Sequence, residues 1–183
     1  MAWTASPVTA IVGYRHNGEV WLGADSAGSD GWHVQAVLTP KLFKVGPALV
    51  AYTTSFRWGN ILQHRFTPPK LDGDAARWVA VDFTDALRTA TAEAGWLSKV
   101  KDREELGTAL VAVDGRLFVF QDDLSSVEYA RFATSGSGES YSLGAMWLAH
   151  QQHMEAQDVV KAGLGAAAEF ATTVCKPFKI RQL

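Results

Sequence analysis

The chain holds a single cysteine, Cys175, in 183 residues. One thiol excludes an intramolecular disulfide and fits a reducing compartment. With Val174 and Phe178 beside it, Cys175 reads as an ordinary buried thiol. No run of Lys or Arg occurs, and the formal net charge is -2. That leaves no basic footprint for a phosphate backbone, so nucleic acid is not an expected partner. No segment approaches the ~20 apolar residues needed to cross a bilayer, and the first eight residues lack the cationic and apolar regions of a secretory signal. The expectation is a cytoplasmic protein with no membrane partner. There is also no fixed-period repeat, low-complexity tract or linker. What is present, 48% hydrophobic and 20% charged residues, is enough for one domain with a sizeable core.

The pattern along the chain alternates between hairpins and helix pairs. Residues 9–16 and 19–25 are β-rich runs around Asn17-Gly18, the dipeptide that favours a tight type I′ turn. "KLFKVG" and "ALVAYTT" form a second pair around Gly46-Pro47. A helix is expected from Ser55, ending before Pro68-Pro69, where backbone donors are lost. A longer helix is expected over residues 73–100, with Trp78, Val79, Phe83, Ala86, Leu87 and Ala90 on one face. "GTALVAVDGRLFVFQ" is a third hairpin around Asp114-Gly115, and "SVEYARFAT" reads as one further strand. "SYSLGAMWLAHQQH" and "AQDVVKAGLGAAAEFATT" form a second helix pair, followed by a last strand in "PFKIRQL". This α+β order predicts a four-layer αββα sandwich: two antiparallel sheets face to face, each flanked by a helix pair.

Most local motifs dissolve on inspection. "TSGSGES" has neither the spacing of a nucleophile elbow nor that of a phosphate loop. His150 and His153, three apart on a helix without a third ligand, read as a solvated helix end rather than a metal site. Tyr141, Leu143, Met146 and Trp147 read as core packing, and Asp122-Asp123 as a turn. Thr9, Asp25, Lys41 and Ser137 remain, each at a strand end or in a Gly-rich loop. A threonine hydroxyl needs a base to become a nucleophile. If Thr9 were the first residue of a processed chain, its own α-amine could serve. A lysine would favour ionisation of the hydroxyl, and a carboxylate would hold the lysine. On residue types alone, a surface ion pair explains Asp25 and Lys41 equally well.

"TAIVGYRHNGEVWLGADS" resembles the opening of proteasome β-type subunits and of the peptidase subunit of the bacterial ATP-dependent two-component protease. Those chains begin, when mature, with a threonine, then an Ile-Val-Gly-like strand, a turn and a strand ending in Ala/Gly-Asp. The resemblance puts Thr9 on the catalytic threonine and Asp25 on the aspartate of the motif. "TPKLFKVG" follows without a gap and puts Lys41 on the catalytic lysine. "FATSGSGESYSLGAMWLA" is similar to the family's Gly-Ser-Gly loop and next helix, placing Ser137 near the threonine amine. The likeness extends to the final helix and strand; residues 60–105 match only in helical character. It is strongest to the small proteasome-like proteins of bacteria and their phages. By the same matching, Gly28, Thr39, Phe43, Thr53 and Arg57 would line the substrate pocket. The backbone N–H of Ser55 stands where a glycine usually forms the oxyanion hole. The chain departs from the family at Ala171 and Val174, where β subunits carry an Asp and a Ser, leaving Thr172 and Thr173 as the only nearby hydroxyls, and at Val8, where self-cleaving propeptides commonly end in Gly.

The resemblance implies a threonine-type peptidase with residues 1–8 as propeptide and residues 9–183 as an N-terminal-nucleophile hydrolase domain. It needs no metal or organic cofactor. The implied substrate is an unfolded polypeptide or peptide, and the implied assembly a homo-oligomeric ring, hexameric or heptameric and stacked in pairs, with an ATP-dependent unfoldase as partner. Two other readings stay open: a non-catalytic shell or assembly protein whose Thr9 is never exposed, and an amidase using the same nucleophile on a small substrate.

Overall fold

The computed structural model describes residues 9–30 and 32–183. The expected propeptide, residues 1–8, lies outside the described residues. β1 (Ala10–His16) and β2 (Glu19–Ala24) form the first hairpin. Asn17 and Gly18 between them take φ of 50° and 82°, the left-handed pair a type I′ turn requires. A short ribbon of β3 (Ala27–Ser29) and β4 (Val34–Ala36) follows, then the hairpin of β5 (Leu42–Val45) and β6 (Ala48–Tyr52). α1 (Phe56–His64) starts at Ser55, whose side chain accepts a hydrogen bond from the Arg57 N–H at 3.1 Å.

The second helical segment runs through α2 (Ala75–Arg77), a π-helical stretch at Trp78–Phe83 and α3 (Thr84–Glu93). The Thr84 hydroxyl donates to the Val79 carbonyl at 2.8 Å, five residues back, inside that widened turn. β7 (Ser98–Val100) and β8 (Arg103–Glu105) form a small hairpin; β9 (Ala109–Val113) and β10 (Arg116–Phe120) form a larger one. Beyond them come β11 (Ser126–Tyr129), β12 (Phe132–Gly136), α4 (Glu139–Gln151), α5 (Ala156–Phe170) and β13 (Lys179–Gln182).

Two antiparallel sheets result, ordered β12-β1-β2-β13 and β11-β10-β9-β6-β5. Strand alternation sorts their side chains into three apolar layers. Ile11, Leu22, Leu42, Leu110 and Leu117 meet between the sheets. Ala10, Val12 and Tyr14 face Met146, Val160 and Leu164 of α4 and α5. Tyr52, Val111, Phe118 and Phe120 face Trp58, Trp78, Phe83 and Leu87 of α1 to α3. Each fully buried Leu or Phe contributes roughly 1.5–3 kcal/mol. This is the four-layer αββα sandwich expected of the sequence, and no helix of the described residues is long and apolar enough to cross a membrane.

Four local expectations are corrected. The helix over residues 73–100 stops at Glu93, because Gly95 turns the chain at φ 67° and residues 98–100 pair with β8 instead. "SVEYARFAT" is two strands: β11 closes one sheet and β12 joins the other, so the chain changes sheets at Ala130-Arg131. Tyr141, Leu143 and Trp147 are not core. Only Met146 of that stripe is buried, because α5 and β1 cover one side of α4 alone. His150 is no solvated helix end either: its ring nitrogens sit 2.8 Å from the Tyr14 hydroxyl and 2.6 Å from Arg131 Nη1.

Candidate active site

Sheet register brings the sequence-distant candidates to one end of the sandwich. Thr9 precedes β1, and Asp25 follows β2, its N–H donating to the Ala10 carbonyl at 3.1 Å. β1 pairs with β12 so that Ala10 lies opposite Gly136, which places Ser137 next to Thr9. Gly136 has φ 101°, and a Cβ there would stand 2.1 Å from the Thr9 carbonyl oxygen. Only glycine allows that approach. Lys41 enters from the segment before β5, fixed where its carbonyl accepts the Tyr52 N–H at 3.0 Å.

Lys41 Nζ donates to Thr9 Oγ1 and to Asp25 Oδ1, both at 2.8 Å. Thr9, Asp25 and Lys41 are 2%, 1% and 3% exposed, so the ion pair is fully inside the protein. Asp25 is held further by the N–H groups of Ala10 at 3.3 Å, Ala27 at 2.9 Å and Cys175 at 3.4 Å. Such donors compensate the carboxylate for lost water. Burial pushes the Lys41 ammonium below its ordinary pKa, and the Asp25 charge opposes that shift. A donor of this kind, aimed at a hydroxyl, favours the oxygen's ionised form.

Ser137 bridges the Thr9 backbone. Its Oγ accepts from the Thr9 N–H at 3.4 Å and lies 3.3 Å from the Thr9 carbonyl oxygen. Thr173 Oγ1 is 2.6 Å from the same Oγ. A serine hydroxyl has one proton. When it goes to the Thr9 carbonyl, the Thr173 hydroxyl must be the donor to Ser137. The loop that lacks the family's Asp and Ser at Ala171 and Val174 thus supplies a hydroxyl from Thr173.

Ser55 lies at the N-terminus of α1, half-buried, and among the described residues its backbone N–H donates to no protein acceptor. Of the pocket candidates, Thr53 is buried with its hydroxyl unpartnered, and Phe43 packs into the core against Tyr52. Gly28 lies on β3, Thr39 is exposed, and Arg57 donates from Nη2 to the Ala94 carbonyl at 2.9 Å, which ties it to the end of α3. Three neighbours were not singled out as site residues from the sequence. Phe56 places its ring centroid 6.0 Å from Lys41 Nζ and lies beside Gly28. Thr173 and Cys175 arrive from the chain's far end. The thiol's pKa is raised by burial and by Asp25, with Lys41 opposing, so Cys175 stays protonated. Among the described residues, no group of three or more His, Cys, Asp or Glu is arranged to hold a metal ion.

No family model and no curated protein matches the chain. Solved structures do. BPH of Thiobacillus denitrificans, a bacterial proteasome homologue, is 29% identical with a TM-score of 0.83, over 96% of this chain and 97% of that one. The same protein in complex with epoxomicin gives 28% and 0.82, over 96% and 98%. Eukaryotic HslV from Trypanosoma brucei gives 15% and 0.70, over 96% and 99%, a likeness of fold.

Proposed function

Because the chain belongs to the proteasome β-type family, we propose that it is a threonine-type peptidase, active once Thr9 has been freed as the N-terminus. The observation that carries this reading is Lys41 Nζ at 2.8 Å from both Thr9 Oγ1 and Asp25 Oδ1 inside a buried site. In the processed chain the Thr9 α-amine takes the proton of Oγ as Oγ attacks the peptide carbonyl, and the Ser55 N–H receives the oxyanion. The amine then returns the proton to the departing amine. Water, activated by the same group, cleaves the resulting ester. Lys41 lowers the cost of ionising Oγ, while Asp25 holds Lys41 and Ser137 holds the amine.

The substrate in this reading is an unfolded polypeptide entering a cytoplasmic ring, with an ATP-dependent unfoldase upstream. Residues 1–8 are the propeptide, and release of Thr9 is the activating step. Intact mass of the purified protein tests this directly, together with hydrolysis of fluorogenic peptides. The expected result is a chain beginning at Thr9 that turns over peptides and binds epoxomicin, with both properties lost in Thr9→Ala. A full-length mass without turnover or epoxomicin binding would overturn the peptidase and leave the shell protein. A processed chain that ignores peptides but hydrolyses small amides would point to the amidase.

A further inference from the structure

Phe56 is the first residue of α1, directly after Ser55. Side chains of a helix lean toward its N-terminus, so the ring reaches back past Ser55 toward the candidate site. Its centroid lies 6.0 Å from Lys41 Nζ, which is itself 2.8 Å from Thr9 Oγ1. The ring is 38% exposed, whereas Trp58, Ile61 and Leu62 of the same helix are fully buried. A Cβ at Gly28 would stand 2.7 Å from Val37 Cγ1 and 3.8 Å from Phe56 Cε2. The bare glycine therefore lets the half-buried Val37 and the Phe56 ring close into one apolar wall beside the nucleophile. The charged neighbours are already engaged. Lys41 donates to Thr9 and Asp25, and Arg57 turns its Nη2 to the Ala94 carbonyl.

We propose that Phe56 is a specificity-determining residue, and that with Val37 and Gly28 it selects an apolar side chain, aliphatic or aromatic, on the residue just before the cleaved bond. The inference rests on the peptidase reading and deepens it, since that reading leaves the substrate's side chains open. Reach supports the assignment. A carbonyl carbon about 3–3.5 Å from Thr9 Oγ1 puts its own residue's side chain within a few bonds of the ring. Polarity then selects the class. A carboxylate would meet the negative face of the ring, and an ammonium or guanidinium would approach the Lys41 charge. Neither the Phe56 nor the Val37 side chain offers such a group a hydrogen bond in return for lost water. An apolar side chain instead covers ring surface that water now touches.

A panel of fluorogenic peptides, identical except for Leu, Phe, Ala, Arg or Asp before the cleaved bond, tests this on the purified protein. Wild type is expected to favour Leu and Phe over Ala by about 10- to 30-fold in kcat/KM, with Arg and Asp below Ala. Phe56→Ala should bring the ratio of Leu to Ala down to about 3-fold or less, while Phe56→Leu keeps most of it. Val37→Thr, which keeps the shape of the wall but adds a hydroxyl, should lower the same ratio by about 3-fold. Circular dichroism identifies the variants that fold. The inference is overturned if wild type prefers Arg or Asp, or if folded Phe56→Ala keeps the wild-type ratio. It also falls if Phe56→Ala changes selection only at another substrate position. Should Phe56→Ala not fold, an unchanged ratio in Val37→Thr overturns it instead. Hydrolysis of the whole panel without preference sinks this inference and leaves the peptidase standing. A protein that cleaves none of the peptides removes the peptidase reading, and the role of Phe56 with it.

Discussion

Strand β1 ends in a polar cluster on either side, and the two clusters handle charge differently. At its start Thr9, Asp25 and Lys41 are almost wholly buried, and the charges are kept as a pair. At its far end only Tyr14 is buried. His16 and Arg131 reach solvent and His150 is half-buried. There the histidine is held neutral: Arg131 can only donate, so His150 Nε2 accepts and the ring proton sits on Nδ1, facing Tyr14. Keeping two charges out of water costs several kcal/mol per ion unless hydrogen bonds replace hydration. The buried end therefore signals chemistry, whereas the edge end is explained by packing. Changing one residue at a time should separate them.

The largest effect is expected from Lys41→Ala. It leaves Asp25 buried with its backbone donors but no counter-charge, and Thr9 Oγ1 without its donor. Peptide hydrolysis should fall by about 10³- to 10⁴-fold, and unfolding free energy by about 3–5 kcal/mol, read by kcat/KM and by urea denaturation. The shifted Lys41 adds a pH signature. Its ammonium is the acting form, and its pKa lies below the ordinary lysine value. Activity should therefore decline on the alkaline side before an ordinary lysine would titrate. A profile flat through the lysine range would remove Lys41 from the reaction.

Thr173→Val comes next. It removes one hydroxyl from Ser137 while keeping nearly the same volume. Losing a hydrogen bond of about 0.5–1.5 kcal/mol should lower kcat/KM by roughly 3- to 10-fold, with Thr173→Ser restoring it. A positioning role predicts that kcat carries the loss while KM and the melting temperature stay put. Equal loss in thermal stability would make Thr173 structural only.

Thr173 also marks where the sequence stopped being readable. The hairpins at Asn17-Gly18 and Asp114-Gly115 were legible because a two-residue turn with positive φ is a local demand. The four layers followed from apolar periodicity and element order. The convergence of Thr9, Asp25, Lys41 and Ser137 was not a local property. It depended on the register of β1 with β12, and the family resemblance rather than spacing pointed to it. The resemblance leaves Thr172 and Thr173 as the hydroxyls of their loop, but no pattern says which of them reaches Ser137, 36 positions away. The π-helical stretch at Trp78–Phe83 keeps the same buried face as an ordinary helix, so periodicity could not reveal it. Nor can periodicity say who covers an apolar face, which is why Tyr141 and Trp147 read as core. The sheet change after Tyr129 was hidden because β11 and β12 are both strand-like and only Ala130-Arg131 separates them.

The smallest effect, and the one that tests the edge cluster, belongs to His150. Burial, the Arg131 charge and the neighbouring His16 and His153 all lower its pKa in the folded protein. Glu19 and Glu155 line the same cleft, but they do not reverse that shift. As pH falls through about 6.5, where an unperturbed histidine titrates, the unfolded chain takes up the proton before the folded one does. The unfolded state then binds more protons, so the stability His150 contributes is present above that pH and is lost as pH drops through it. Urea denaturation of wild type should show this decline between about pH 7 and pH 5, and His150→Gln should flatten it. Peptide hydrolysis at neutral pH should be the same in both proteins, because the cluster lies at the opposite end of β1 from Lys41. A His150→Gln variant that loses hydrolysis while staying folded would show that the two ends of the strand are coupled.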